Sequence, residues 1–253
     1  MSNIEYSFLI TSFAGLSTMI GAVLIFFKYK DTDKVICSSL AFASGVMLMI
    51  SITDLIPSSI KGLLDTYYFI PAVLIALISI ISGIAISCLI NKYVPDINSE
   101  VENKKGLYKV GIISMIAIIL HNIPEGVATF MTSTKNIQLG LSLAIAIALH
   151  NIPEGISISI PIFYSTKSKF KALLYTFISG ISEPVGALIA YLFLAPYMND
   201  LIMSILLANI GGIMISISVY ELIPASLKYN NIKRSIIYFI IGGIFMLVCH
   251  LYL

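Results

Sequence analysis

The amino-acid sequence predicts an all-α integral membrane protein with eight transmembrane helices. Three observations predict this fold class: few charges, repeated long apolar stretches, and basic residues gathered on one side of the predicted membrane. Charged residues make up 11% of the 253-residue chain, whereas a soluble domain contains about a quarter. The mean hydropathy is +0.98. A surface so poor in charge has to face lipid.

The apolar stretches are long enough to cross a membrane, which takes about 20 predominantly apolar residues. They predict helices near residues 5–27, 35–59, 67–90, 109–133, 137–161, 170–193, 200–227 and 233–253. The longest polar segment, residues 91–109, mixes both signs of charge and is predicted to be a flexible cytoplasmic loop. Because the other connecting segments are short, the chain is predicted to form one transmembrane domain, 1–253, without a soluble domain.

The basic residues indicate how the helices are oriented. The segments after helices 1, 3, 5 and 7 hold 13 of the 15 Lys and Arg residues, and the opposite side holds only Lys61 and Lys135. Cytoplasmic loops are enriched in basic residues, so the odd-numbered loops are predicted to be cytoplasmic and both termini to lie outside. We expect a multi-pass protein of the cell membrane, in bacteria the inner membrane, with the lipid bilayer and no nucleic acid as a partner.

Two internal repeats relate helices that run in opposite directions. Residues 44–61 in helix 2 align without gaps to residues 211–228 in helix 7, with 9 of 18 positions identical. The hexapeptide HNIPEG occurs at 121–126 in helix 4 and again at 150–155 in helix 5. Repeats of inverted direction are typical of secondary transporters, whose substrate site lies near the middle of the bilayer. The two pairs therefore predict a transporter built from inverted repeats.

Acidic side chains lie within five of the apolar stretches, where a charge costs at least about 2.5–3.5 kcal/mol. They are Asp54, Glu125, Glu154, Glu183 and Glu221. An acid at this depth needs a partner or water. In each HNIPEG segment, His and Glu are four residues apart and so lie about 40° apart around the helix, with Asn beside them. One face of each helix is thus predicted to present an imidazole, an amide oxygen and a carboxylate.

The two HNIPEG faces together predict a site for divalent metal ions. Its predicted ligands are His121, Asn122, Glu125, His150, Asn151 and Glu154. Imidazole combined with oxygen ligands suits Zn, Fe, Mn, Co or Cd, whereas a Mg or Ca site needs no imidazole. In helix 6, Glu183 precedes Pro184 and offers a third carboxylate. Three carboxylates balance most of the charge of one or two divalent ions.

The longer repeat matches Asp54 in helix 2 to Glu221 in helix 7, near opposite ends of the membrane. Two interpretations are open for this pair. Either the two acids attract cations along a pathway, or they cap and tether helix ends. His250, close to the end of the last predicted helix, is interpreted as an interfacial side chain without a role.

The HNIPEG segments allow two other interpretations. Their polar side chains could hold helices together, but such contacts in bilayers average only about 0.6 kcal/mol, too little to account for buried acids. An intramembrane metalloenzyme is the alternative function. A metalloprotease would need HExxH, with Glu directly after the first His, whereas here Glu lies four residues after the His. We therefore expect a transporter without catalytic residues.

These features resemble those of the ZIP (Zrt-/Irt-like protein) divalent-metal transporters, in the GufA-like bacterial branch. The resemblance spans essentially the whole chain and rests on eight helices, both termini outside, and HNIPEG in helices 4 and 5. It implies transport of metal into the cytoplasm, a homodimer, a 3+2+3 arrangement of the helices, and movement of helices 1, 4, 5 and 6 against the other four. Divalent metal is then the transported substrate and not a cofactor.

The resemblance also implies a centre for two metal ions. One ion would be bound by His121 and His150, the other by Asn122, Asn151 and Glu183, and both would be bridged by Glu125 and Glu154. The chain departs from the family in one respect. Many members carry a histidine-rich loop between helices 3 and 4, whereas residues 91–109 contain no histidine. Metal sensing through that loop is therefore not expected.

Overall fold

The computed structural model describes residues 2–94, 106–194, 199–229 and 231–252. Eight helices within these ranges are long and apolar enough to cross a membrane. They are α1 (Asn3–Phe26), α2 (Thr32–Leu64), α3 (Phe69–Tyr93), α4 (Leu107–Lys135), α5 (Ile137–Thr166), α6 (Lys169–Phe193), α7 (Asp200–Leu227) and α8 (Ile232–Leu251). The predicted fold class, an all-α protein with eight transmembrane helices, is confirmed.

The loop predicted at residues 91–109 is shorter at both ends than the sequence suggested. Helix α3 continues to Tyr93 and α4 begins at Leu107. Lys92 lies in the last turn of α3, where a long basic side chain can bury its stem and keep its amine at the membrane surface. Polar residues therefore continue the helix beyond the apolar stretch. Residues 95–105 lie outside the described ranges.

The helices pack in matched pairs around α4 and α5, which lie against each other. Helix α1 packs on α5 as α6 packs on α4, and α8 packs on α2 as α3 packs on α7. By these matched contacts, α1 is equivalent to α6, α2 to α7, α3 to α8, and α4 to α5. In chain order, two equivalent three-helix repeats thus flank a central helix pair, which is the 3+2+3 arrangement, and in space the two repeats pack against each other.

Glycines bring the helices around α4 and α5 into backbone contact. A Cβ atom at Gly126 of α4 would lie 2.0 Å from the carbonyl oxygen of Glu183. At the equivalent Gly155 of α5, it would lie 1.9 Å from the carbonyl oxygen of Thr18. Residues without a bulky side chain allow helices in a bilayer to approach this closely. The contact at Gly126 holds Glu183 of α6 directly beside the HNIPEG segment of α4.

Each of the two acids matched by the longer repeat lies in a widened, π-type helical turn. The turns span Ser51–Leu55 in α2 and Ser218–Leu222 in α7, and each precedes an Ile-Pro pair. Proline lacks a backbone donor and its ring crowds the carbonyl four residues earlier, so a wider turn relieves the clash. Single π turns inside α-helices are frequent at functional sites. Asp54 and Glu221 both lie within these turns.

The helices differ in how much of their surface they expose. Helix α5 is the most enclosed of the described helices, and Ile158, Ile160 and Ile162 are among its fully buried side chains. Helices α3 and α8 instead expose most of their surface, including the large apolar side chains of Ile78 and Ile240. Exposed apolar side chains of this kind are suited to lipid, whereas α2, α4 and α5 are the most buried of the described helices.

Candidate metal centre

All seven predicted metal ligands lie in one buried region between α4, α5 and α6. The largest exposed fraction among them is 6%, at Glu125. Four-residue spacing places His and Glu on one face of each helix, and α4 and α5 turn these faces toward each other. Helix α4 continues through Pro124 and α5 through Pro153 without a break in either helix.

The histidines and two of the glutamates form the part of the centre between α4 and α5. The Nε2 atoms of His121 and His150 each lie 3.2 Å from Oε1 of Glu125, which therefore lies between the two imidazoles. His121 Nε2 also lies 3.3 Å from Oε1 of Glu154. The two imidazole rings are 6.0 Å apart between their centroids. Nitrogen and oxygen atoms thus converge on one small volume.

This convergence has the geometry of a metal site more than of a hydrogen-bonded cluster. One ligand atom from each of His121, His150 and Glu154 lies within 4.8 Å of the others. His150 Nε2 is aligned for hydrogen bonding with Glu125, but His121 Nε2 makes its short contacts without that alignment. Ligands bound to one zinc ion lie at about 2.0–2.2 Å from it, so donors within 4.8 Å of one another can share an ion after small side-chain rotations.

The asparagines connect this cluster to α1 and α6. Asn151 donates its side-chain amide to Oε1 of Glu183 at 2.5 Å and to the carbonyl oxygen of Ala14 at 2.9 Å. Asn122 donates in the same way to the carbonyl oxygen of Ser179 at 3.2 Å. With the amide hydrogens held by these acceptors, the amide oxygens of both asparagines are directed away from them. The oxygens are then available as ligands.

Several buried oxygen atoms of the centre lack a hydrogen-bond partner among the described residues. They are Oδ1 of Asn122, Oδ1 of Asn151, Oε2 of Glu183 and both carboxylate oxygens of Glu154. A buried acceptor without a partner costs about 1–3 kcal/mol, and more when it is charged. A divalent cation supplies the missing interaction and offsets the mutual repulsion of the carboxylates. The donor set therefore fits a cation of the zinc class, with imidazole and oxygen ligands.

The pseudo-symmetry of the site is broken at one position. Ala14 and Ser179 accept equivalent bonds from the two asparagines, and Gly15 contacts Gly180 where α1 crosses α6. In the same alignment of α1 with α6, buried Thr18 is the counterpart of Glu183. Glu183, the third carboxylate of the centre, therefore has no acidic counterpart in α1. Thr18 and the two carbonyls were not predicted, although AGLST at 14–18 and SGISE at 179–183 share Gly and Ser at matching positions.

A cavity of about 380 Å³ connects the centre to one face of the membrane. Buried Glu125 and His150 line its inner end, and the more exposed Asp54, Ser58 and His250 also line it. Since the described residues contain eight membrane-crossing helices, the start of α1 and the end of α8 lie on one face, and the ends of α2 and α8 place the cavity mouth there. We call it the terminal-side cavity. Asp54 is thus connected to the centre without being part of it.

Glu221 lies at the opposite face, in a separate cavity of about 190 Å³ that also contains Lys109 and Lys228. None of the seven predicted ligands is among the described residues that line it. Asn91 of α3 donates to Oε1 of Glu221 at 2.5 Å. Asn91 begins the polar segment that predicts a loop, but it lies within α3. The structure therefore places Asp54 and Glu221 toward opposite ends of the molecule, and neither in the metal centre.

Comparison with known proteins identifies relatives over nearly the full length. The profile of the family described as ZIP zinc transporter matches residues 97–250. The zinc transporter ZupT of Clostridium perfringens is 40% identical over 98% of this chain and 96% of its own length. ZupT of Campylobacter jejuni is 40% identical over 93% of the chain and 91% of its own length. ZupT of Lysinibacillus sphaericus is 35% identical over 99% and 98%.

Proposed function

This chain belongs to the ZIP family, and on that premise we propose that it carries zinc-class divalent ions across the membrane through the buried centre between α4, α5 and α6. Membership of this family indicates a transporter of divalent metal and not an enzyme. The observation that carries the proposal is the cluster of buried carboxylate, amide and imidazole groups at the inner end of the terminal-side cavity. A cluster of buried acids open to one face of the membrane suits a cation that enters from water.

We infer that the centre holds two ions. His121 and His150 bind the first, in the volume where their Nε2 atoms approach Glu125 and Glu154. The amide oxygens of Asn122 and Asn151 bind the second together with Glu183, and Glu125 and Glu154 bridge both ions. The unpartnered oxygens of Asn122, Asn151 and Glu183 support this division.

Zinc is the proposed principal cargo, because the similar proteins are zinc transporters. Fe, Mn, Co and Cd share its tolerance of mixed imidazole and oxygen ligands. We propose inward movement across the cell membrane of a bacterium, with both termini outside, since the basic residues gather on the opposite face. A homodimer is part of this proposal, as the resemblance to ZIP transporters implies.

The path proposed for the ion begins at Asp54, passes through the centre and leaves past Glu221. These two carboxylates lie in the widened turns of α2 and α7 and line the cavities on opposite faces. An acid at each mouth raises the local cation concentration, an effect that weakens as ionic strength rises.

Zinc flux into proteoliposomes tests this function. Purified full-length protein should admit external zinc, and Glu125→Gln or Glu154→Gln should reduce flux to the rate of protein-free liposomes. Glu5→Gln is the matched control, because Glu5 is an exposed acid at the start of α1. Competition by Fe, Mn, Co and Cd in the same assay ranks the cargo. Near-normal flux in Glu125→Gln or Glu154→Gln would exclude the proposed site, and no flux in the unmodified protein would exclude the function.

A further inference from the structure

Asp54 and His250 lie at the same level on two helices that run side by side in the same direction. Along α2 and α8, contacts advance in a constant register. Near one face of the membrane, Arg234 donates to Ser38, its partner 196 positions earlier, at 3.0 Å. Farther along, a Cβ atom at Gly45 would lie 2.1 Å from the carbonyl oxygen of Phe239 and 3.0 Å from the backbone nitrogen of Gly243.

This register brings Asp54 opposite His250. The separation of 196 positions between Ser38 and Arg234 is also that between Asp54 and His250. Parallel α-helices rise equally, by about 1.5 Å per residue, and the widened turn at Ser51–Leu55 adds only about one residue to α2. The two side chains therefore lie near the same depth. Both line the terminal-side cavity, whose inner end is lined by Glu125 and His150.

The inverted repeat supplies an independent observation. Backbone contacts relate α3 to α8: Gly83 meets the carbonyl oxygen of Asn209 as Gly242 meets that of Phe42. In the same alignment, Asn91 corresponds to His250 and Glu221 to Asp54. Asn91 and Glu221 make a direct side-chain hydrogen bond. The equivalent positions on α8 and α2 are thus within reach of each other, but here they hold an imidazole and a carboxylate.

We propose that Asp54 and His250 form a second, weaker site for a zinc-class divalent cation at the mouth of the terminal-side cavity. Imidazole nitrogen with carboxylate oxygen is a donor pair that zinc accepts. Ser58 donates to Oδ1 of Asp54 at 3.1 Å, and a carboxylate can accept about four such interactions, so one bond leaves capacity for a cation. With two protein ligands, the ion keeps water in its remaining positions and can be released toward the centre.

The role of this pair as a station on the transport path rests on the proposed function, whereas binding of metal by the pair does not. Cys249 and Met203 line the same cavity, but the proposal assigns them no part. The equivalent pair at the other face, Asn91 and Glu221, has an amide in place of the imidazole. The proposed site therefore belongs to the terminal face alone.

Equilibrium dialysis of zinc against purified full-length protein tests the site. In a variant with Glu125→Gln and Glu154→Gln, which removes both bridging carboxylates of the centre, one weakly bound zinc ion per chain should remain. Adding Asp54→Asn or His250→Gln should weaken that binding at least about tenfold, since even supporting residues of metal sites contribute this much. Adding Glu5→Gln, which removes an exposed acid without a proposed role, or Cys249→Ala should leave it unchanged.

A variant in which Asp54 and His250 exchange places separates loss of the site from misfolding of a single variant. Asp54→His together with His250→Asp keeps both donor types at the cavity mouth and should retain the weak zinc ion. Loss of that ion in Cys249→Ala, or its persistence in both Asp54→Asn and His250→Gln, would overturn the proposal. If unmodified protein transports zinc but the weak ion is not found, the site is excluded and the function stands. If the weak ion binds but no zinc is transported, the function is excluded and the site stands.

Discussion

Asn151 of α5 joins two neighbouring helices, because its amide group donates to Glu183 of α6 and to the carbonyl oxygen of Ala14 in α1. Its copy in α4, Asn122, makes the equivalent bond to the carbonyl of Ser179. Thr18 is the counterpart of Glu183 in the alignment of α1 with α6, and it offers Asn122 no carboxylate. The two HNIPEG segments are identical in sequence, but the helices beside them make their asparagines unequal.

Asn151→Ala is therefore expected to be more harmful than Asn122→Ala. The first variant leaves the buried carboxylate of Glu183 without its amide donor, which costs about 1–3 kcal/mol or more, and removes a proposed ligand. The second removes a ligand and a bond to a backbone carbonyl only. Thermal unfolding of the two purified variants, without metal, measures the difference. Equal stability, or lower stability of Asn122→Ala, would contradict this account of the asymmetry.

The number of bound ions should depend on which glutamate is changed. Glu183→Gln is expected to reduce tightly bound zinc from two ions to one per chain, because Glu183 is proposed to bind the second ion alone. Glu125→Gln should weaken both, since Glu125 lies between the two imidazoles and is proposed to bridge the ions. Equilibrium dialysis at increasing zinc concentration measures both. Retention of two tightly bound ions in Glu183→Gln would show that this residue only supports Asn151.

Gly126→Ala should lower the yield and stability of folded protein. Its new methyl group would lie 2.0 Å from the carbonyl oxygen of Glu183, so α6 would have to move away, and overpacking of this kind costs about 1–3 kcal/mol. Gly243→Ala is the matched control, because its nearest neighbours are the flexible end of Met49 at 3.3 Å and the Gly45 carbonyl oxygen at 3.9 Å. Size-exclusion profiles and thermal unfolding compare the two. Equal behaviour would mean that α4 and α6 are not in backbone contact.

Zinc affinity of the centre should fall as the pH falls. An imidazole must be neutral and a carboxylate ionised to bind metal, so protons compete with zinc for the same atoms. Each proton that zinc displaces makes the affinity fall about tenfold per pH unit. Dialysis between pH 8 and pH 5 provides the measurement. Equal occupancy at both ends of this range would exclude His121 and His150 as ligands.

Topology is tested by a thiol reagent that cannot cross the membrane. In a protein whose three native cysteines, Cys37, Cys88 and Cys249, are replaced, Lys135→Cys should react in intact cells. Lys169→Cys should react only after permeabilisation, because it lies on the face with most basic residues. The reverse pattern would invert the proposed orientation and, with it, the direction assigned to Asp54 and Glu221.

The eight helices and the centre could be predicted because the signals for both are local. The length of each apolar stretch predicts a helix, and four-residue spacing indicates which side chains share a face of it. His121 and Glu125 could therefore be identified from the sequence. The contact between Asn151 and Glu183 was not, since it depends on how closely α5 approaches α6. Gly15 and Gly180 meet where α1 crosses α6. Their matching positions are a weak sequence indication that α1 and α6 are equivalent helices.

Residues at the helix ends were harder to interpret. Asn91 begins a polar segment and so was read as loop, but it lies in α3 and is bonded to Glu221. His250 was interpreted as a lone interfacial side chain, because it lies close to the end of the last helix. Its partner position, Asp54, is 196 residues away and is brought near by the packing of α2 on α8. Such pairs follow from the register between helices, which a single sequence does not contain.

The position of bound zinc tests the central claim most directly. Anomalous scattering at the zinc absorption edge, measured on crystals of the full-length protein grown with zinc, locates each ion. We expect two peaks between α4, α5 and α6, with the first about 2.0–2.1 Å from Nε2 of His121 and His150, and Glu125 and Glu154 between them. Zinc bound only at other places, with His121 and His150 making no contact to an ion, would contradict the account.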